Sequence, residues 1–259
     1  MKRSIAIVLL MLAIIGCEQS TTEPVVDQEP QRTLIGSATE GDLTVQLYAD
    51  RIFRVGYNAV YIKVRRGGVA ATNVKVTLNP VMDMGMLTHS TPVEQPDEAT
   101  DAFSNHCGAI LFIMAGSSSQ WSVNLSVIDT NGGDTTDVHI PVDVSSSSNV
   151  KVLKSGANRT VVTLIEDTWQ VGMNDVRIML HASIDGFTFT PINDAELQID
   201  PTMPSMGHGS SGNIDPVFAD EGLYMGKMNL IMTGDWDLEV KQVNSSSDPF
   251  TVNFPIHVP

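Results

Sequence analysis

Methionine and histidine recur at short spacing in two places. The first reads Pro80-Val81-Met82-Asp83-Met84-Gly85-Met86-Leu87-Thr88-His89, the second Pro201-Thr202-Met203-Pro204-Ser205-Met206-Gly207-His208-Gly209. A thioether sulfur is soft and uncharged and has no proton to lose, and an imidazole nitrogen suits copper in either oxidation state. A loop that gathers two sulfurs and one nitrogen therefore offers a donor set for Cu(I). Met114 and Met232 each sit in a Met-x-Gly segment and could add a further sulfur. His106 and Cys107 stand where the second half carries Tyr224 and Met225, so the first half has extra donors. The competing reading is mechanical, because methionine is a flexible gap filler that plugs the open ends of β-sandwiches. Two equivalent clusters favour the metal reading. Its candidate ligands are Met82, Met84, Met86, His89, His106, Met114, Met203, Met206, His208 and Met232.

The elements that hold these residues are read from an internal repeat. Arg54-Val55-Gly56-Tyr57-Asn58 matches Gln170-Val171-Gly172-Met173-Asn174, and alternating apolar residues follow each: Val60, Ile62, Val64 and Val176, Ile178, Leu180. Further on, Val74-Lys75-Val76-Thr77-Leu78 matches Ala195-Glu196-Leu197-Gln198-Ile199, and the prolines Pro80 and Pro201 follow. Ile110 to Gly116 matches Met228 to Gly234, with Trp121 and Trp236 behind. Period-two alternation with turn signals every 8–12 residues predicts about seven short strands per half and no helix. The expectation is all-β: two tandem immunoglobulin-like β-sandwich domains, residues 36–145 and 150–259, with both tryptophans in the cores. The run Ser145 to Asn149 reads as the linker between them.

The chain opens with Lys2 and Arg3, then an apolar run from Ile5 to Ile15, which is too short for the roughly 20 residues that a spanning helix needs. It ends Ile14-Ile15-Gly16-Cys17, which resembles the bacterial lipobox. That resemblance implies a signal peptide over 1–16, acylation of Cys17, and a lipid anchor in the membrane. The Thr-, Glu- and Pro-rich stretch behind it predicts a disordered tether over 17–35. With Cys17 acylated, Cys107 has no disulfide partner.

Fifteen Lys and Arg against thirty Asp and Glu give a net charge of -15. No basic patch exists to neutralise phosphate, so a nucleic-acid partner is excluded. No Gly-x-Ser-x-Gly elbow, phosphate-binding loop or His-Glu-x-x-His pair occurs, and the chain is expected not to be an enzyme. Asp129-Thr130-Asn131-Gly132-Gly133-Asp134 lacks the bidentate glutamate of a calcium loop and predicts a hairpin turn.

The second Met–His loop, with Gly222-Leu223-Tyr224-Met225-Gly226 and Met232-Thr233-Gly234-Asp235-Trp236 downstream, resembles the YtkA-like family of small exported sandwich domains. The first half resembles a divergent copy with His106 in place of the tyrosine. The resemblance implies an immunoglobulin-like fold and copper handling in the periplasm. The expected function is a protein anchored by lipid to the envelope, on the outer membrane's periplasmic face. It would bind Cu(I) through the Met/His loops and exchange it with a copper acceptor or another envelope protein. The alternative is a structural or interaction module of the envelope with no metal role.

Overall fold

The computed structural model describes residues 28–244 and 249–259. The signal segment, Cys17 and the tether up to residue 27 lie outside the described residues. Gln31–Pro259 form one compact unit.

The first half contains β1 (Thr33–Glu40), β2 (Leu43–Ala49), β3 (Gly56–Arg66), β4 (Val69–Ala70), β5 (Val74–Asp83), β6 (Thr88–His89), β7 (Val93–Glu94), β8 (His106–Phe112), β9 (Trp121–Asp129) and β10 (Thr135–Pro141). The second contains β11 (Val150–Ser155), β12 (Asn158–Leu164), β13 (Gly172–Ser183), β14 (Thr190–Pro191), β15 (Leu197–Met203), β16 (His208–Gly209), β17 (Ile214–Asp220), β18 (Leu223–Leu230), β19 (Gly234–Gln242) and β20 (Thr251–Val258). In the first half one sheet runs β1-β2-β3-β8-β7, with β4 on β3, and the other runs β10-β9-β5-β6. The second half repeats both orders ten strands later: β11-β12-β13-β18-β17 with β14 on β13, and β16-β15-β19-β20. The described residues are all-β, two tandem immunoglobulin-like sandwiches. The strands beyond the predicted seven are mostly two-residue pairings such as β4, β6 and β7, too short to leave an alternating signature. Residues 33–35, read from the sequence as the end of the tether, begin β1.

Alternation explains the cores. Along β2, Leu43, Val45, Leu47 and Ala49 are buried while Thr44, Gln46 and Tyr48 are half-exposed. The inward residues of both sheets, among them Val45, Ile62, Leu78, Trp121 and Leu125, form one cluster. The matched Val-Gly-x-Asn segments have a backbone role. Asn58 Oδ1 accepts from the Arg54 N–H at 3.1 Å, and its Nδ2 donates to the carbonyls of Arg54 and Gly56 at 2.8 Å each. Asn174 makes the same bonds to Gln170 and Gly172. The intervening Gly56 and Gly172 have φ of 114° and 106°, a conformation a β-carbon would strain. The repeat is thus a clamped entry into β3 and β13.

One face departs from alternation. In β12, Val161, Val162, Thr163 and Leu164 are all buried; in β13, so are Ile178, Met179, Leu180 and His181. Strands buried on both faces read as continuous runs. The second covering layer is the other sandwich: Met179 packs with Ala109 and Leu111 of β8, flanked by Tyr57, Ile165 and Leu223. The Ser90 N–H donates to the Gly186 carbonyl across the same joint, 3.0 Å. Arg51 and Arg54 both pair with Asp167. The serine run between the sandwiches is held at both ends. Ser145 exchanges backbone hydrogen bonds with Phe53 and Val55, and Asn149 Nδ2 donates to the carbonyls of Leu164 and Glu166.

Burial holds His181 well below an ordinary histidine, at about 4. Unfolding exposes a ring that takes a proton near pH 6.5, so the unfolded state binds more protons in acid. The contribution of this group is intact above about pH 6.5 and is lost as pH falls through about 4, up to about 3 kcal/mol. Urea unfolding from about pH 7 to about pH 4 checks this. The native chain is expected to lose roughly that much more stability than His181→Gln over the interval; parallel curves would show that the ring is not held neutral.

Candidate functional site

The two Met–His loops are hairpins at one end of each sandwich. In the first, β5 and β6 place Met82 directly opposite His89, and β9 places Trp121 directly opposite Met82. Side chains opposite one another across a sheet share a face, with Cβ atoms about 5 Å apart. His89, Met82 and Trp121 thus form a row across the sheet. In the second sandwich, β15 and β16 place Met203 opposite His208. Each imidazole meets its indole edge-on, His89–Trp121 at 5.5 Å and His208–Trp236 at 6.0 Å between ring centroids.

Imidazole tautomers are set by the backbone. His89 Nδ1 lies 3.0 Å from the Ser90 carbonyl, and His208 Nδ1 lies 3.2 Å from the Gly209 carbonyl. A carbonyl only accepts, so Nδ1 carries a proton in both, and in the neutral ring Nε2 then presents its lone pair. His89 Nε2 is buried and has no hydrogen-bond partner. A ring oriented through Nδ1–H to a backbone carbonyl, with Nε2 bare, has the arrangement of a metal-ligating histidine.

The methionines divide into two groups. Met82 and Met203 are sunk in the cores, 2% and 3% exposed. The terminal methyl of Met82 lies 2.9 Å from where a β-carbon on Gly116 would stand, and that of Met203 lies 3.0 Å from the same point on Gly234. Glycine therefore opens the space that the methyls fill. Met84, Met86 and Met206 sit at the hairpin tips and face solvent, Met86 at 98% exposure. Met114 and Met232 contribute their backbone: Trp121 Nε1 donates to the Met114 carbonyl at 3.0 Å and Trp236 Nε1 to the Met232 carbonyl at 3.1 Å. Their side chains are partly exposed. The role of this carbonyl was missed from sequence, where the tryptophans read only as core; the matched Met-x-Gly before each tryptophan is its signal.

His106 does not join the row. It opens β8 opposite Ile62, whereas Phe112 at the other end of β8 stacks edge-on against Trp121. Six residues of strand, about 20 Å, separate the two ends. The side chain is buried, its Nε2 has no partner, and burial lowers its pKa. Cys107 neighbours Asp101, with Sγ 3.8 Å from Oδ2; burial and that carboxylate push its thiol up, so it stays protonated. Asp129 accepts the backbone N–H groups of Asn131 and Gly132 in the β9–β10 hairpin turn. Among the described residues no three His, Cys, Asp or Glu side chains form a cation-binding group, so a metal here would depend on thioether sulfur.

Imidazole, thioether and indole thus meet at one end of each sandwich. Residues 154–241 match the YtkA-like family model. The match covers most of the second sandwich, including its Met–His loop and Trp236, and it suggests an envelope domain. The first sandwich, outside the match, has the same strand order as the second. The chain matches no curated protein. Among solved structures it is similar to the Escherichia coli adhesin FdeC, at 10% identity over 83% of this chain and 64% of that one, TM-score 0.28. It is also similar to the D0-D1 domain of intimin, at 11% identity over 86% and 100%, TM-score 0.27. A conserved domain protein from Bacillus anthracis is similar at 9% identity over 88% and 92%, TM-score 0.31. The chain thus spans just under two thirds of the FdeC structure. Such slight likenesses carry no argument about function.

The division of the methionines is testable by stability alone. Met203→Ala empties a packed site and is expected to cost about 2–5 kcal/mol in urea unfolding. Met206→Ala removes an exposed side chain and is expected to change stability by less than about 0.5 kcal/mol. Equal effects would contradict the assignment.

Proposed function

We propose that this is a non-enzymatic protein of the cell envelope, tethered through an acylated Cys17, that binds Cu(I) at the Met–His end of each sandwich. The observation that carries the reading is His89: its Nε2 is buried and unpartnered, beside Met82 and the Trp121 indole. An orphaned acceptor in an apolar surrounding costs about 1–3 kcal/mol, which a cation at that point would remove. One imidazole and one thioether fit a soft monovalent ion, and the tip methionines Met84, Met86 and Met206 supply further sulfur on the same hairpins. The residues that would hold the metal are Met82 with His89, and Met203 with His208. His106 belongs to neither set, and Met114 and Met232 act through their carbonyls. The lipid would hold the protein at the outer membrane's periplasmic face, within reach of a copper acceptor.

A second reading has its own observation. Met84, Met86 and Leu87 form an exposed apolar tip, which would suit docking on an envelope protein with no metal role.

Competition against a Cu(I) chelator separates the two. Two ions per chain are expected, with one lost in His89→Ala and the other in His208→Ala. No uptake, or uptake indifferent to both changes, would overturn the copper reading. Capture of an envelope partner that depends on the tip but not on copper would favour the second.

A further inference from the structure

The two sandwiches are copies, yet they meet through different faces. The first presents the outer face of β3 and β8; the second presents that of β12 and β13. Because the fold repeats, each face has a counterpart on the other sandwich that the joint does not use. The paired strands give the correspondence: Asn58 lies opposite Ile110 as Asn174 lies opposite Met228, and Ile62 opposite Leu47 as Ile178 opposite Leu164.

Residue types at these positions follow use. Where the first sandwich joins, it carries Ala59, Ala109 and Leu111; the second has Asp175, Lys227 and Asn229 at the same places. There Lys227 Nζ and Asp175 Oδ1 form an exposed ion pair at 2.6 Å. Where the second sandwich joins, it carries Val161, Thr163, Met179 and His181, all buried. The first has Thr44, Gln46, Lys63 and Arg65 at those places, none of them buried, with Lys63 over the Tyr48 ring.

A second copy docking head to tail through the same joint would set Lys63 of one chain against Lys227 and Asn229 of the next. Met179 meets Ala109 and Leu111 at the corresponding place inside the chain. Joining would bring like charges together and strip water from the Asp175–Lys227 pair, both unfavourable. A heterologous contact of this kind does not close on itself and would otherwise grow into a filament.

We infer that these charged residues restrict the joint to the two sister sandwiches and stop a second copy from joining through it. The test removes the block from each end separately. One variant carries Gln46→Thr, Lys63→Met and Arg65→His; the other carries Asp175→Ala, Lys227→Ala and Asn229→Leu. A short linker holds its two ends at roughly millimolar effective concentration, so sedimentation is measured at about that concentration. Each variant alone is expected to stay monomeric, and an equimolar mixture to form a 1:1 complex. A mixture that remains monomeric, or native protein that already associates, overturns the inference. The reverse change provides a second arm if either variant fails to fold. Met179→Lys with Leu111→Asn is expected to open the internal joint, so that small-angle scattering shows a larger radius of gyration; an unchanged radius would contradict it.

Discussion

Each core is organised around a buried indole that must satisfy one N–H. Trp121 and Trp236 are 0% and 2% exposed, and an indole has a single donor and no acceptor. Left unpaired in an apolar interior, that donor would cost about 1–3 kcal/mol. The chain meets the requirement identically in both sandwiches, by folding the segment after β8 or β18 back over the ring so that a methionine carbonyl receives the proton. Much of the surrounding geometry depends on this bond. The carbonyl is engaged, so Met114 and Met232 turn their side chains outward. The glycines Gly116 and Gly234 leave room for a thioether methyl. Met82 and Met203 fill that room, and the strand opposite them delivers His89 and His208.

The functional reading rests on what this packing leaves over. Met114 and Met232 are turned away, so the donors for a soft ion reduce to an imidazole, the core-packed thioether opposite it (Met82 or Met203) and the solvent-facing tips. The imidazole is the more informative partner. Its orientation through Nδ1 leaves a lone pair that nothing in the described protein uses at His89.

Much of the architecture was legible in the sequence. Period-two alternation gave the strands, and the repeat gave the two sandwiches and the equivalence of their Met–His loops. Within the site, the short spacing of Met82 to His89 and of Met203 to His208 brought each pair together, because a tight hairpin sets such residues opposite one another. His106 shows why proximity in sequence can mislead: it shares a strand with the residues under the tryptophan, but a strand spends about 3.3 Å per residue and carries it to the far end. The joint was present as the apolar runs Val161–Ile165, interrupted by Thr163, and Ile178–Leu180. A run of this kind does not say what covers its second face, and Met179 lies between the sandwiches rather than in either core. The serine linker was ambiguous for a related reason, since serine and asparagine serve a mobile tether and a hydrogen-bonded turn equally well.

Hydrogen exchange of the two indole N–H groups, followed by NMR on tryptophan-labelled protein, tests the organising constraint most directly. Both indole protons are expected to exchange only as fast as global unfolding allows, since each is buried and bonded to a carbonyl. Exchange at the rate of a solvent-exposed indole at either position would contradict the account, because the fold-back of the Met-x-Gly segment, and the packing that divides the methionines, both depend on that bond.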